Sequence, residues 1–130
     1  MTAAGSTWVR SHSSALPTLV GMTAFWVCAG VTAASALVSL GYSVAAVVSA
    51  LDQARVNAMY ALSRSAALAA AVLVPVFSQT RSSLLTIALA MVIVQALDAV
   101  VGATIHDRMK TFGPASLGLV NLVALVWFLS

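Results

Sequence analysis

Two full charges, Arg64 and Asp98, sit inside stretches that are otherwise apolar enough to cross a bilayer. Arg64 lies in NAMYALSRSAALAAAVLVPVF and Asp98 in LLTIALAMVIVQALDAVVGATI. A charge at mid-helix costs about 2.5–3.5 kcal/mol on insertion scales, so it is kept where it finds a partner or a polar interior. The segments that carry these residues must therefore be helices, packed so that both charges turn away from lipid.

Composition leaves no soluble alternative. Of the 130 residues only 7% are charged and 62% are hydrophobic, with a mean hydropathy of +1.05. Soluble domains carry about 25% charged residues, so this chain cannot furnish a water-facing surface and reads as an integral, multi-pass membrane protein. Its length suits one domain. The six Lys and Arg are scattered singly for a net charge of +3, which makes no patch for nucleic acid. Cys28 is the lone cysteine; it can form no internal disulfide and reads as a buried, inert thiol.

Four apolar runs, at about 17–41, 55–77, 82–105 and 112–130, read as spans separated by short polar turns. The expected fold is all-α: an integral membrane antiparallel four-helix bundle occupying residues 16–130. Residues 1–15 are polar and Ser/Thr-rich and read as an N-terminal tail, with Trp8 at the headgroup level. Arg10 and the Ala34-Ser35-Ala36 triplet resemble parts of a cleaved leader, but the apolar run continues to Leu40, so the first segment reads as a retained span. Pro17 suits its first turn and Gly41 its end. From Tyr42 to Ala54, Val44, Val47, Val48 and Leu51 recur at helical spacing, which implies a short interfacial helix or an early extension of the second span. Trp127 and Phe128 read as an aromatic belt. The positive-inside rule leans toward placing Arg55, Arg108 and Lys110 on the cytoplasmic side, opposite Arg10 and Arg81.

Helical geometry gathers the scattered polar residues. At 100° per residue, Gln53, Asn57, Tyr60 and Arg64 fall in one stripe of the second helix, and Gln95, Asp98, Gly102 and His106 in one stripe of the third. Arg64 lies nine residues after Arg55, about 13 Å deep, and Asp98 eight before His106, about 12 Å deep from the same face. Asn121 lies nine residues beyond Phe112 and Thr32 nine before Gly41, so each helix offers a polar group at a common level. The stripes are expected to enclose a polar pocket centred on Arg64 and Asp98. Pure packing of helices by an ion pair is the competing reading.

Most catalytic templates are missing. The chain has no glutamate, its two histidines lie in the tail and at a helix end, and no glycine-rich phosphate loop or metal-ligand spacing is present. No cofactor is implied. What remains is acid–base chemistry: Asp98 as acid or base, Arg64 positioning it, Tyr60 assisting, and Asn57, Gln95, Asn121 and Thr32 holding a substrate. The expected ligand is a small lipophilic molecule, terpenoid- or sterol-like, and the candidate reactions are isomerisation, epoxide opening or cyclisation. The alternatives are a small transporter or a structural accessory subunit. Gly30 and Ala34 would suit packing against a partner or a second copy. A small multidrug exporter is disfavoured, because the first span carries no ionisable group.

The stretch Tyr60-Ala-Leu-Ser-Arg64-Ser-Ala-Ala-Leu-Ala, followed by Gln95-Ala-Leu-Asp98-Ala-Val-Val-Gly102, resembles the small four-span membrane proteins grouped as DoxX-like, from about Arg55 to the C-terminus. That resemblance implies a four-helix bundle with Arg64 and Asp98 as its polar pair. It implies no particular reaction. Glycines commonly flank the arginine in that family, whereas Ser63 and Ser65 do so here.

Overall fold

The computed structural model describes residues 7–130, with side chains from Thr18 onward. Four helices follow one another: α1 (Thr7–Ser49), α2 (Asp52–Ser78), α3 (Arg81–Thr104) and α4 (Arg108–Leu129). All four are long and apolar enough to cross a membrane. The protein is a small multi-spanning membrane protein with an all-α, four-helix architecture.

Turns as short as those at 50–51, 79–80 and 105–107 force neighbouring helices antiparallel. Each has a local cause. Gln79 adopts a left-handed conformation (φ 51°) and returns its N–H to the carbonyl of Pro75, closing α2. Asp107 caps α4, its Oδ1 accepting from the amides of Met109 and Lys110 at 3.1 and 3.2 Å. Helices α1 and α3 each touch the other three helices, while α2 and α4 stand at opposite corners without contact.

The first span differs from its expected boundaries. Helix α1 already begins at Thr7 rather than near Pro17, and it runs unbroken through Gly41 to Ser49. Residues 1–6 of the expected tail lie outside the described residues, as does the Trp8 side chain. The stretch from Tyr42 to Ala54 forms no separate interfacial helix; α1 takes it to Ser49 and α2 claims it from Asp52. One glycine costs a helix only about 1 kcal/mol. Packing outweighs that here, because Ser43, two residues past Gly41, shares a 2.9 Å hydrogen bond with Ser65 of α2. At 43 residues α1 is about 64 Å long, twice the hydrocarbon thickness, so it extends beyond the bilayer core.

The core is layered along the axis. Toward the 79–80 turn it is apolar: Phe25, Cys28, Leu84, Ala88, Leu125 and Phe128 pack together, with the Phe25 and Phe128 rings edge-on at 6.0 Å. Phe128 was expected in an interfacial belt, but the i, i+3/i+4 series Gly118, Asn121, Leu125, Phe128 turns it inward. There Arg81 donates to its carbonyl at 3.2 Å and lies over its ring. Trp127 faces outward as expected. A second apolar cluster of Ala36, Val72 and Met91 fills the middle.

At the other end α3 meets the start of α4 so closely that a Cβ on Gly102 would overlap the backbone carbonyl of Lys110. Gly102→Ala should therefore cost about 1–3 kcal/mol, as overpacking of a tight contact does. Chemical denaturation in detergent measures this, and an unchanged midpoint would mean that the 105–107 turn yields freely. In a Cys28→Ala background, single cysteines at Thr80 and Ser130 should react with an impermeant thiol reagent from one side of the membrane. A cysteine at Arg108 should react from the other.

Candidate functional site

The rotation of α2 decides where its arginine goes. Ala58, Ser65 and Val72, seven residues apart, form the buried seam of this helix. Arg64 precedes Ser65 and is therefore turned about 100° from the seam. Its guanidinium stands at the edge of the bundle and reaches sideways to α3, where Nη2 lies 2.9 Å from Oδ1 and 3.0 Å from Oδ2 of Asp98. A single nitrogen thus spans both carboxylate oxygens. The Arg64 side chain is 47% exposed and that of Asp98 25%, so the pair borders an opening rather than a sealed core.

That opening is a half-open cleft of about 390 Å³ at the 105–107 end of the bundle. Ser39, Tyr42, Ser43 and Ala46 of α1 form one wall, and Ala61, Arg64 and Ser65 of α2 the next. Asp98, Val101 and Gly102 of α3 continue it, with Ile105, Asp107, Met109, Lys110, Gly113 and Pro114 at the mouth. Its chemistry is mixed: a belt of hydroxyls and charges on a lining of Ala, Val, Ile and Met. Behind the ion pair, Ser43 donates to the Ser39 carbonyl at 2.9 Å and shares a bond with Ser65, tying α1 to α2.

At the mouth Lys110 Nζ stands 3.3 Å from Asp107 Oδ2. The Asp107 carboxyl is held below its ordinary value, chiefly by the hydrogen bond from the Lys110 amide. A lowered folded-state value means that this group adds stability above the ordinary carboxylate range. The contribution is lost as pH falls through the lowered value.

The residues expected at the site separate into three groups. Arg64 and Asp98 meet and line the cleft. Thr32, Gln95 and Asn121 are sealed in the core, 0–1% exposed, and Thr32 Oγ1 lies 3.0 Å from Asn121 Oδ1. Asn57 and Tyr60 face outward, Tyr60 at 73% exposure, and neither lines the cleft. The reason is the seam through Ala58 and Ser65, which turns the stripe of Asn57 and Tyr60 toward the surroundings and leaves only the long arm of Arg64 to reach back. His106 is exposed in the turn with φ 57°. Sequence reasoning did not place Tyr42, Ser43, Ser65 or Lys110 at the site. The seven-residue spacing of Ala58, Ser65 and Val72 was the signal available for Ser65.

Among the described residues no group of three His, Cys, Asp or Glu side chains is placed to hold a metal. No family model, curated protein or solved structure matches the chain.

The half-exposed ion pair should be worth less than a sealed one. Single changes Arg64→Gln and Asp98→Asn are each expected to cost about 1–2 kcal/mol, between the values for surface and buried pairs. The double variant should recover part of the loss in a thermal-unfolding cycle. Strictly additive losses would show that the two side chains do not couple.

Proposed function

We propose that the protein binds one small lipophilic molecule, terpenoid- or sterol-like in character, with an uncharged oxygen at one end. The oxygen sits beside Arg64 and Asp98, and the apolar body lies along Ala61, Val101, Ile105 and Met109. The carrying observation is that the cleft's charges are already matched. Arg64 is paired with Asp98 and Lys110 with Asp107, while Asp107 also occupies the N-terminus of α4. An anionic end group would meet the carboxylates of Asp98 and Asp107 beside the cations they already neutralise, whereas a hydroxyl or carbonyl needs only a free donor or acceptor. Nε and Nη1 of Arg64 make no hydrogen bond among the described residues, and the hydroxyls of Ser39 and Tyr42 line the same wall. A volume of about 390 Å³ is at the small end of ligand pockets, which favours a single compact ligand over a two-chain phospholipid.

Binding is favoured over chemical transformation because Tyr60, the expected partner of Asp98 in acid–base chemistry, stands outside the cleft. It is favoured over a conduit because the apolar layer of Phe25, Leu84, Leu125 and Phe128 fills the bundle beyond Thr32 and Asn121. It is favoured over a purely structural ion pair because such a pair gains nothing from bordering an opening. The resemblance to DoxX-like proteins belongs to the same proposal, since its two matching residues form the pair at the cleft.

Farnesol and farnesyl phosphate share an apolar chain and differ at one end, which makes them suitable probes. Farnesol should raise the unfolding midpoint of the detergent-solubilised protein more than farnesyl phosphate does. Ala61→Phe, which fills the cleft without touching a charge, should abolish the farnesol effect. Equal stabilisation of the Ala61→Phe variant, or a preference for the phosphate, would overturn the reading.

A further inference from the structure

Inside the bundle, one turn along α3 from Asp98 and outside the cleft lining, lies a polar group that the proposed ligand does not use. Gln95 is 1% exposed, and neither its Oε1 nor its Nε2 has a hydrogen-bond partner in the protein. Asn121, 0% exposed, accepts from Thr32 through Oδ1, but its Nδ2 is likewise unpartnered. Both amides lie near the α3–α4 interface. Gln95 lies against Gly118, where a Cβ would stand 3.3 Å from the Gln95 Cβ and 3.7 Å from its Oε1, and Asn121 follows Gly118 by one helical turn.

Buried polar atoms are expensive unless bonded, and internal water is the usual partner where several converge. The unmet atoms here are one acceptor and two NH₂ groups. Water donates to the first and accepts from the others, which matches its preference for about three hydrogen bonds. Apolar neighbours cannot serve: Met91 and Ala88 lie on the same face of α3 and Ala124 and Leu125 on α4.

We propose that Gln95 and Asn121, with Thr32 orienting the Asn121 amide, form a binding site for ordered water in the core, beneath the Arg64–Asp98 pair. Thr32 Oγ1 lies 2.8 Å from the Cys28 carbonyl and 3.0 Å from Asn121 Oδ1, and its one proton serves one of these acceptors at a time. Gly118 lets Gln95 lie against α4, since a side chain there would press on it.

The proposal separates cleanly from ligand binding. In nanodiscs, the side-chain NH₂ resonances of Gln95 and Asn121 should show exchange or Overhauser cross-peaks to water, while the backbone amides of Ala88 and Met91 show none. Gln95→Met keeps the volume and removes two polar atoms. If water bridges the amides, this change strands the Asn121 amide and lowers the unfolding midpoint. If the site is dry, it removes two unbonded atoms and raises the midpoint. A missing water cross-peak, or a raised midpoint in Gln95→Met, would overturn the proposal. Neither measurement depends on farnesol, so failure here leaves the cleft reading untouched.

Discussion

Lipid is as apolar as the faces of these helices, so burying Leu or Val against another helix discriminates weakly between registers. Polar side chains discriminate far better, because a slip of one residue moves each about 1.5 Å along and 100° around its helix. Among the described residues such a contact stands at every adjacent corner. Thr32 joins α1 to α4, Ser43 joins α1 to α2 through Ser65, Arg64 joins α2 to α3 through Asp98, and Arg81 joins α3 to α4 through the Phe128 carbonyl. Each contact is worth little alone, near 0.6 kcal/mol on average for polar contacts within membranes. Together they close a ring, so that no helix can rotate or slide without breaking bonds at two corners.

That ring also explains why a cleft can exist. With Ser43–Ser65 inside the α1–α2 seam and Arg64–Asp98 at its edge, α2 is held to both neighbours by contacts on different sides of its axis. It need not pack tightly along its whole length. The other opening force is length. Asp98 is six residues from the end of α3, whereas Arg64 is twelve from the start of α2. The α1–α2 hairpin therefore overhangs the 105–107 turn by about 9 Å, at 1.5 Å per residue. Tyr42 and Ala46 of α1 border the cleft below this overhang.

Depth within each pair was legible in the sequence, but the single level expected for all four helices was not. Thr32 and Asn121 lie deeper than Arg64 and Asp98. Rotation was not legible either. Counting residues from the helix ends put Arg64 level with Asp98 and Thr32 level with Asn121, and both pairs are bonded. Rotation is normally read from the contrast between apolar and polar faces. In α2 that contrast fails, since the buried seam is Ala58, Ser65, Val72 and Pro75 while Val56, Met59, Leu73 and Phe77 are exposed. In a membrane, small residues go inward and large apolar ones outward, and a reading keyed to polarity alone turned Asn57 and Tyr60 the wrong way. The continuity of α1 through Gly41 escaped for a related reason. It depends on a contact with a helix that follows in the chain, which no local pattern encodes.

Helix α3 carries both polar environments on one stripe, and their difference follows from depth. Asp98 is close enough to the end of the bundle to border the open cleft, with a guanidinium beside it. Gln95, about 4.5 Å further in by the rise of one turn, lies where exposure has fallen to 1%. A charge there would need a sealed partner that α4 does not offer. An amide carries donor and acceptor together and needs no counter-ion, so it is the most polar group this depth accommodates. Beyond Thr32 and Asn121 the described residues of the core are apolar up to the Arg81–Phe128 contact. The sequence of charge, amide and hydrocarbon along one helix face is a gradient of tolerable polarity, and it sets how far into the bundle a polar ligand group can be drawn.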